Sequence, residues 1–157
     1  YSLKAISLIV NNLNGYLDNC DGANSNMLEA AFLAGKAINI TKTTAGHAMC
    51  YKITSLFNCA HGHAAALCDR ILFKWMAENT QKCSDKRGVE YLQKTLDELG
   101  IALGGADALS GANKFCELFD SLNLNIPTAT QEQIEELKSS VNLNSSWSYF
   151  FKKSRIL

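Results

Sequence analysis

Apolar residues recur along this chain at helical spacing almost from its first position. Ile6, Ile9, Val10, Leu13 and Leu17 fall at i, i+3, i+4, i+7 and i+11, one face of a helix. Asn14-Gly15 or the Asp18 to Gly22 stretch should end it. Ser25 is then placed to cap a second helix. Met27, Ala30, Ala31, Ala34 and Ile38 form one stripe along it, and Leu28, Phe32 and Gly35 form another. Stripes on two sides predict a helix buried between neighbours. After a polar break at Thr41 to Gly46, a third helix carries Met49, Ile53 and Leu56 on one side. At about 100° per residue, His47, Tyr51, Thr54, Ser55 and Asn58 lie opposite.

The pattern continues beyond a turn at Asn58 to His61. Ala64, Leu67, Cys68, Ile71, Leu72 and Trp75 mark a fourth helix, and Thr80 to Asp85 reads as a loop. Val89, Leu92, Leu96 and Leu99 mark a fifth, with Gly100 suited to its C-terminal cap. Leu109, Ala112, Phe115, Phe119 and Leu122 mark a sixth. The lone Pro127 falls in a loop, where it is least disruptive. Thr130 and Gln133 have capping-box spacing ahead of Ile134, Leu137 and Val141. No stretch alternates with period two for long enough to form a strand. The fold class predicted is all-α, a multi-helix bundle with the last helices as a smaller lobe.

Composition adds boundaries. At 157 residues, 47% apolar and 19% charged, the chain fits one folded domain. Net charge is zero and no basic run suggests nucleic acid. No apolar stretch is long enough to span a bilayer, so no membrane is expected. No signal peptide is visible, and the chain begins with Tyr1 rather than Met, as a trimmed domain or part of a longer protein would. The six cysteines, Cys20, Cys50, Cys59, Cys68, Cys83 and Cys116, include no C-x-x-C pair. Reduced, mostly buried thiols in a cytoplasmic protein are the better reading.

Candidate chemistry gathers on two histidines. Gly46-His47-Ala48 and His61-Gly62-His63-Ala64 place His47 and His61 fourteen residues apart. One helix and the start of the next could then point two imidazoles into one cleft, where they could ligate a divalent metal. The polar front of the third helix is either a solvated face or the lining of a cleft, and its lack of mixed Lys and Glu argues for the lining. At a helix N-terminus His61 is held neutral, the form that binds metal. The more ordinary reading is a residue that only caps the turn. His47 with Tyr51 one turn on is either a hydrogen-bonded core pair or a ligand beside a proton donor. His63 points away from His61 and reads as structural. Cys59-Ala60-His61-Gly62-His63 is too tight for usual structural-zinc spacing.

The stretch TAGHAMCYKITSLFNCAHGHAAALC resembles the iron-containing (group III) alcohol dehydrogenases. The likeness runs over roughly residues 3 to 142, from LKAISLIVNNL through Ala34-Gly35 and the paired histidines to SSVN. It implies an all-helical C-terminal metal-binding domain over residues 1–142, with an atypical tail over residues 143–157. It implies His47 and His61 as two of four metal ligands, an Asp and another His lying upstream. Tyr51 stands where some members have a proton-relay histidine, and Asn58-Cys59-Ala60 where many have a proline. Fe²⁺ or Zn²⁺ is the implied metal, and NAD(P) the cofactor, held mainly by an N-terminal domain outside this chain.

The activity so implied is alcohol oxidation or aldehyde reduction, with the isolated chain inactive. TTAGHAMCYKITS with HGHAAALC is most similar to the branch that reduces phosphonoacetaldehyde-like substrates. The partners expected are a small alcohol or aldehyde and, in a homodimer, a second copy. Two imidazoles fall short of the three or four protein ligands of tight sites, so this chain should bind metal weakly or not at all. The alternatives are a non-catalytic helical interaction module and a small zinc hydrolase, for which no H-E-x-x-H motif supplies ligands.

Overall fold

The computed structural model describes residues 1–41 and 43–140. The expected 143–157 tail, with Trp147, Tyr149, Phe150 and Phe151, lies outside the described residues, as does Val141. Seven helices are present among the described residues, and no strand. They are α1 (Ser2–Leu17), α2 (Asp21–Ile40), α3 (Ala45–Phe57), α4 (His61–Glu78), α5 (Val89–Ala102), α6 (Ala108–Ser121) and α7 (Gln131–Ser140), with a 3-10 turn at Thr80–Lys82. The all-α prediction holds. The helices form two compact units, each drawn from two separate stretches of chain: residues 1–41 with 76–116, and residues 43–75 with those from 117 onward. The last helices therefore do not form a lobe alone, because α7 shares a unit with α3.

In the first unit α1 and α2 pack along each other and α5 packs against α1. Small residues set the closeness: Ala5, Ala23 and Ala30 are buried, with Leu33 and Leu96. α1 runs on through Asn14-Gly15 and stops at Asp18. Asn19 turns the chain with φ 56°, a conformation asparagine tolerates. α2 then begins at Asp21 with Cys20 as its N-cap, so Ser25 lies inside the helix and caps nothing. Asp21 in the first turn complements the helix dipole. The second apolar stripe of α2 is not buried: Leu28 is 74% and Phe32 61% exposed, with Lys36 Nζ 4.6 Å from the Phe32 ring centre.

Gly100 is likewise not a cap. α5 continues to Ala102, with Leu103 as its C-cap. A Cβ on Gly100 would stand 2.0 Å from the Asp107 carbonyl oxygen, and one on Gly111 would stand 2.1 Å from Gly100 Cα. These two glycines let α6 start directly against α5. Asp97 on α5 accepts from the Ala108 N–H at 2.9 Å, satisfying one free donor at the start of α6. Asp107 caps the same turn by accepting from the Ser110 N–H at 2.8 Å. Hydrogen bonds from the Ser110 N–H and hydroxyl hold its carboxyl below the ordinary range.

The second unit holds the candidate site. Its core joins Ala45, Met49, Cys50 and Ile53 of α3, Ala64, Cys68 and Leu72 of α4, and Leu137 of α7. α7 is fixed at its start by the expected capping box. The Thr130 N–H donates to Gln133 Oε1 at 2.9 Å, and the Gln133 N–H donates to Thr130 Oγ1 at 3.3 Å. Lys52 of α3 pairs with Glu136 of α7. Pro127 lies in the segment before α7, beside an apolar groove lined by Leu67, Ile71, Ile126 and Ile134.

Candidate metal centre

The turn between α3 and α4 makes the site. α3 ends at Asn58, which takes the left-handed conformation, φ 49° and ψ 37°. That reverses the chain within three residues, and α4 opens on His61 itself. The first N–H groups of α4 are engaged from the Ala64 N–H, which donates to the Ala60 carbonyl at 2.9 Å. His61 thereby returns beside His47, which sits in the first turn of α3.

The two imidazoles meet. Their ring centres lie 4.8 Å apart with planes at 78°. Tyr51 joins them: its ring centre is 5.1 Å from that of His47 and 5.0 Å from that of His61. The Tyr51 hydroxyl lies 3.0 Å from His47 Nε2, within hydrogen-bond range. All three residues named from the sequence therefore converge. The polar front of α3 is open on one side, since Tyr51, Ser55 and Asn58 are exposed while His47 and Thr54 are half-buried.

Cys50 is the residue that the sequence reading missed. It lies three residues after His47, on the border between the oily back and the polar front of α3. It is fully buried, and its Sγ donates to the His47 carbonyl at 3.0 Å. The same sulfur lies 3.6 Å from His61 Nδ1 and 3.7 Å from Nε2. One donor atom each from His47, Cys50 and His61 lie within 4.8 Å of one another. Cys59 and His63 do not join this group. His63 instead has its ring 6.0 Å from that of Phe119, and its Nε2 is buried with no hydrogen-bond partner among the described residues. The i+3 spacing from a candidate ligand was the available signal for Cys50.

Asp69 borders the group from α4. Its carboxylate packs on the backbone of Gly46, where a Cβ would stand 1.8 Å from Asp69 Oδ1. Glycine is thus required beside His47 for that carboxylate to reach the N-terminal turn of α3, where the helix dipole favours negative charge. Burial pushes the Asp69 carboxyl above its usual range, and His47 acts the other way. Burial pushes the Cys50 thiol up, and Asp69 adds to the effect. All six cysteines are free thiols.

Residues 1–141 match the family model described as Fe-containing alcohol dehydrogenase family, C-terminal. The chain belongs to that family. Its two histidines stand in the order and spacing that suggested the resemblance. A phosphonoacetaldehyde reductase from Streptomyces viridochromogenes is 31% identical over 111 residues, 69% of this chain and 28% of that protein. The chain thus spans well under half the length of this curated relative. No solved structure matches it. Membership makes this an oxidoreductase-type domain of an alcohol dehydrogenase family, and that family implies a divalent metal. The donors fit such an ion: two imidazoles face each other at the mouth of a half-open site, with a carboxylate nearby. No helix among the described residues is long and apolar enough to cross a membrane.

Proposed function

We propose that this chain is the helical metal-binding half of an NAD(P)-linked alcohol dehydrogenase or aldehyde reductase. The observation that carries the reading is the convergence of His47 and His61, fourteen residues apart in sequence and 4.8 Å apart between ring centres. His47 and His61 would hold Fe²⁺ or Zn²⁺. When bound, such an ion supplies Lewis acidity toward an alcohol or carbonyl oxygen.

The chain's own residues do the rest. Asp69 on the Gly46 backbone anchors the α3 turn that carries His47. The Tyr51 hydroxyl, 3.0 Å from His47 Nε2 and exposed, can pass a proton between the site and solvent. NAD(P) would be held mainly by residues outside these 157, so the isolated chain is inactive in this reading. The partner is a small alcohol or aldehyde, with phosphonoacetaldehyde the first to try on the strength of the relative's name. A homodimer and a cytoplasmic setting complete the proposal.

The test uses the complete protein that carries this domain, assayed for metal content and for NAD(P)H oxidation with small aldehydes. His47→Ala and His61→Ala should each lose bound metal and turnover, and His63→Ala should cost much less. Full metal content in both of the first two variants would refute the reading.

A further inference from the structure

We propose that Cys50 is a third metal donor, so that His47, Cys50 and His61 form a nitrogen and sulfur site within this chain that prefers Zn²⁺ to Fe²⁺. The proposal rests on the metal reading above and goes beyond it in donor set and selectivity. It also revises the expectation of weak binding, which counted two imidazoles only.

Geometry carries the case. A tetrahedral zinc site has Zn–S near ~2.3 Å and Zn–N near ~2.0–2.1 Å, so its sulfur-to-nitrogen edges are about 3.6 Å. Cys50 Sγ stands 3.6 Å from His61 Nδ1 and 3.7 Å from Nε2. That is too long for a strong hydrogen bond and fits two donors sharing an ion. All three donor atoms lie within 4.8 Å of one another, a spread that rotation of the half-buried His47 and exposed His61 can close. The sulfur is wholly buried and forms the floor, while the two rings form the walls.

The chemistry follows from the donor types. Thiolate is the soft ligand among protein side chains, and it favours zinc over ferrous iron. Three protein donors leave a fourth position open toward solvent, as in catalytic rather than structural zinc sites. On binding, the S–H bond breaks, the sulfur's electron pair goes to the ion and the proton goes to solvent. The hydrogen bond from Cys50 to the His47 carbonyl is exchanged for the metal bond. The competing account is a core thiol satisfied by that carbonyl alone.

Cobalt distinguishes the two, because Co²⁺ substitutes for zinc and reports a bound thiolate by a sulfur-to-cobalt charge-transfer band. The reduced 157-residue chain should be titrated with Co²⁺ and then challenged with Zn²⁺ and Fe²⁺. The expected result is one Co²⁺ per chain, visible tetrahedral bands, and the charge-transfer band in the near ultraviolet. Zn²⁺ should displace the cobalt at lower concentration than Fe²⁺. Cys50→Ser should lose the charge-transfer band. Outer-shell partners are ordinarily worth about 10–100-fold in metal affinity, so losing a donor should weaken Co²⁺ binding at least ~10-fold. Cys59→Ser should retain band and affinity.

Co²⁺ bound by the unaltered chain with visible bands but no charge-transfer band would overturn the proposal and leave the histidine reading standing. A band abolished by Cys59→Ser and kept in Cys50→Ser would also overturn it. So would a helical chain, checked by circular dichroism, that binds neither Co²⁺ nor Zn²⁺. The broader reading is decided separately, by the metal content of the complete protein. If Cys50→Ser does not fold, the band in the unaltered chain together with its survival in Cys59→Ser still decides.

Discussion

Replacing Gly46 by alanine tests the contact that sets the α3 turn beside His47. The added Cβ would stand 1.8 Å from Asp69 Oδ1 and 2.7 Å from Asp69 Cγ, far inside the 3.4 Å at which ordinary contact begins. Leu72 Cδ1, at 3.3 Å, needs to give only slightly. The carboxylate would have to retreat by roughly 1.5 Å, and overpacking of this kind costs about 1–3 kcal/mol. Against that, alanine is about 0.5–1 kcal/mol better than glycine in a helix. The net expectation is a loss of about 1–2 kcal/mol. The decisive measurement is a double-mutant cycle by urea unfolding, followed by circular dichroism. In an Asp69→Ala background both overlapping atoms are gone, and Gly46→Ala should become neutral or slightly stabilising. A coupling of about 2–3 kcal/mol is therefore expected, near the upper end for residues in contact. Equal effects of Gly46→Ala in the two backgrounds would show that Asp69 does not occupy this position.

Three further outcomes are expected. Thr130→Ala removes one half of the capping box and should cost about 1 kcal/mol, read by urea unfolding, with Gln133→Ala in the same background adding little. Tyr51→Phe should lower stability by less than about 1 kcal/mol, since the side chain is 60% exposed. In the complete enzyme it should leave metal content intact while cutting turnover by about 10²-fold and altering its pH profile, and loss of metal instead would rule out a relay role. Burial pushes the Cys68 thiol from 9.0 up to about 12, with Asp69 adding to it. The contribution is fully present below pH 9.0 and is lost as pH rises toward 12, because the unfolded chain ionises first. The loss is about 1.4 kcal/mol per pH unit in that window. Cys68→Ala should flatten this part of the unfolding profile between those limits, and an unchanged slope would refute the assignment.

Helix identity was legible where one apolar stripe met one neighbour. α3 shows this: Met49 and Ile53 are buried as their spacing required. The capping box before α7 was legible too, since both its partners lie within four residues. Misreadings arose where a local signal had two physical meanings. Asp21-Gly22 resembles a turn, yet an acidic residue is equally at home in a first helical turn. Gly100 resembles a cap at the end of an apolar stripe, yet it serves the close start of α6 eleven residues on. The double stripe of α2 promised burial on both sides. Periodicity reports that a face is apolar and says nothing of what covers it, and Leu28 and Phe32 remain exposed.

The site shows the same division. His47 and His61 were found because helix periodicity and a short turn fix their relation almost locally. Asn58 in the left-handed conformation then does what a proline or a longer loop would not, reversing the chain so that α4 starts on a ligand. Cys50 was overlooked because a helix was divided into an oily back and a polar front, and a cysteine belongs to either. Its place on the seam between them lets one atom satisfy both demands: it fills the core beside Ala64 and Leu72, and it turns its sulfur to the imidazoles. Asp69 could not be found by spacing at all. It lies eight residues along α4 from His61, and only the bare backbone of Gly46 lets it reach the turn that carries His47. A glycine before a histidine was therefore the trace, in the sequence, of a carboxylate from another helix.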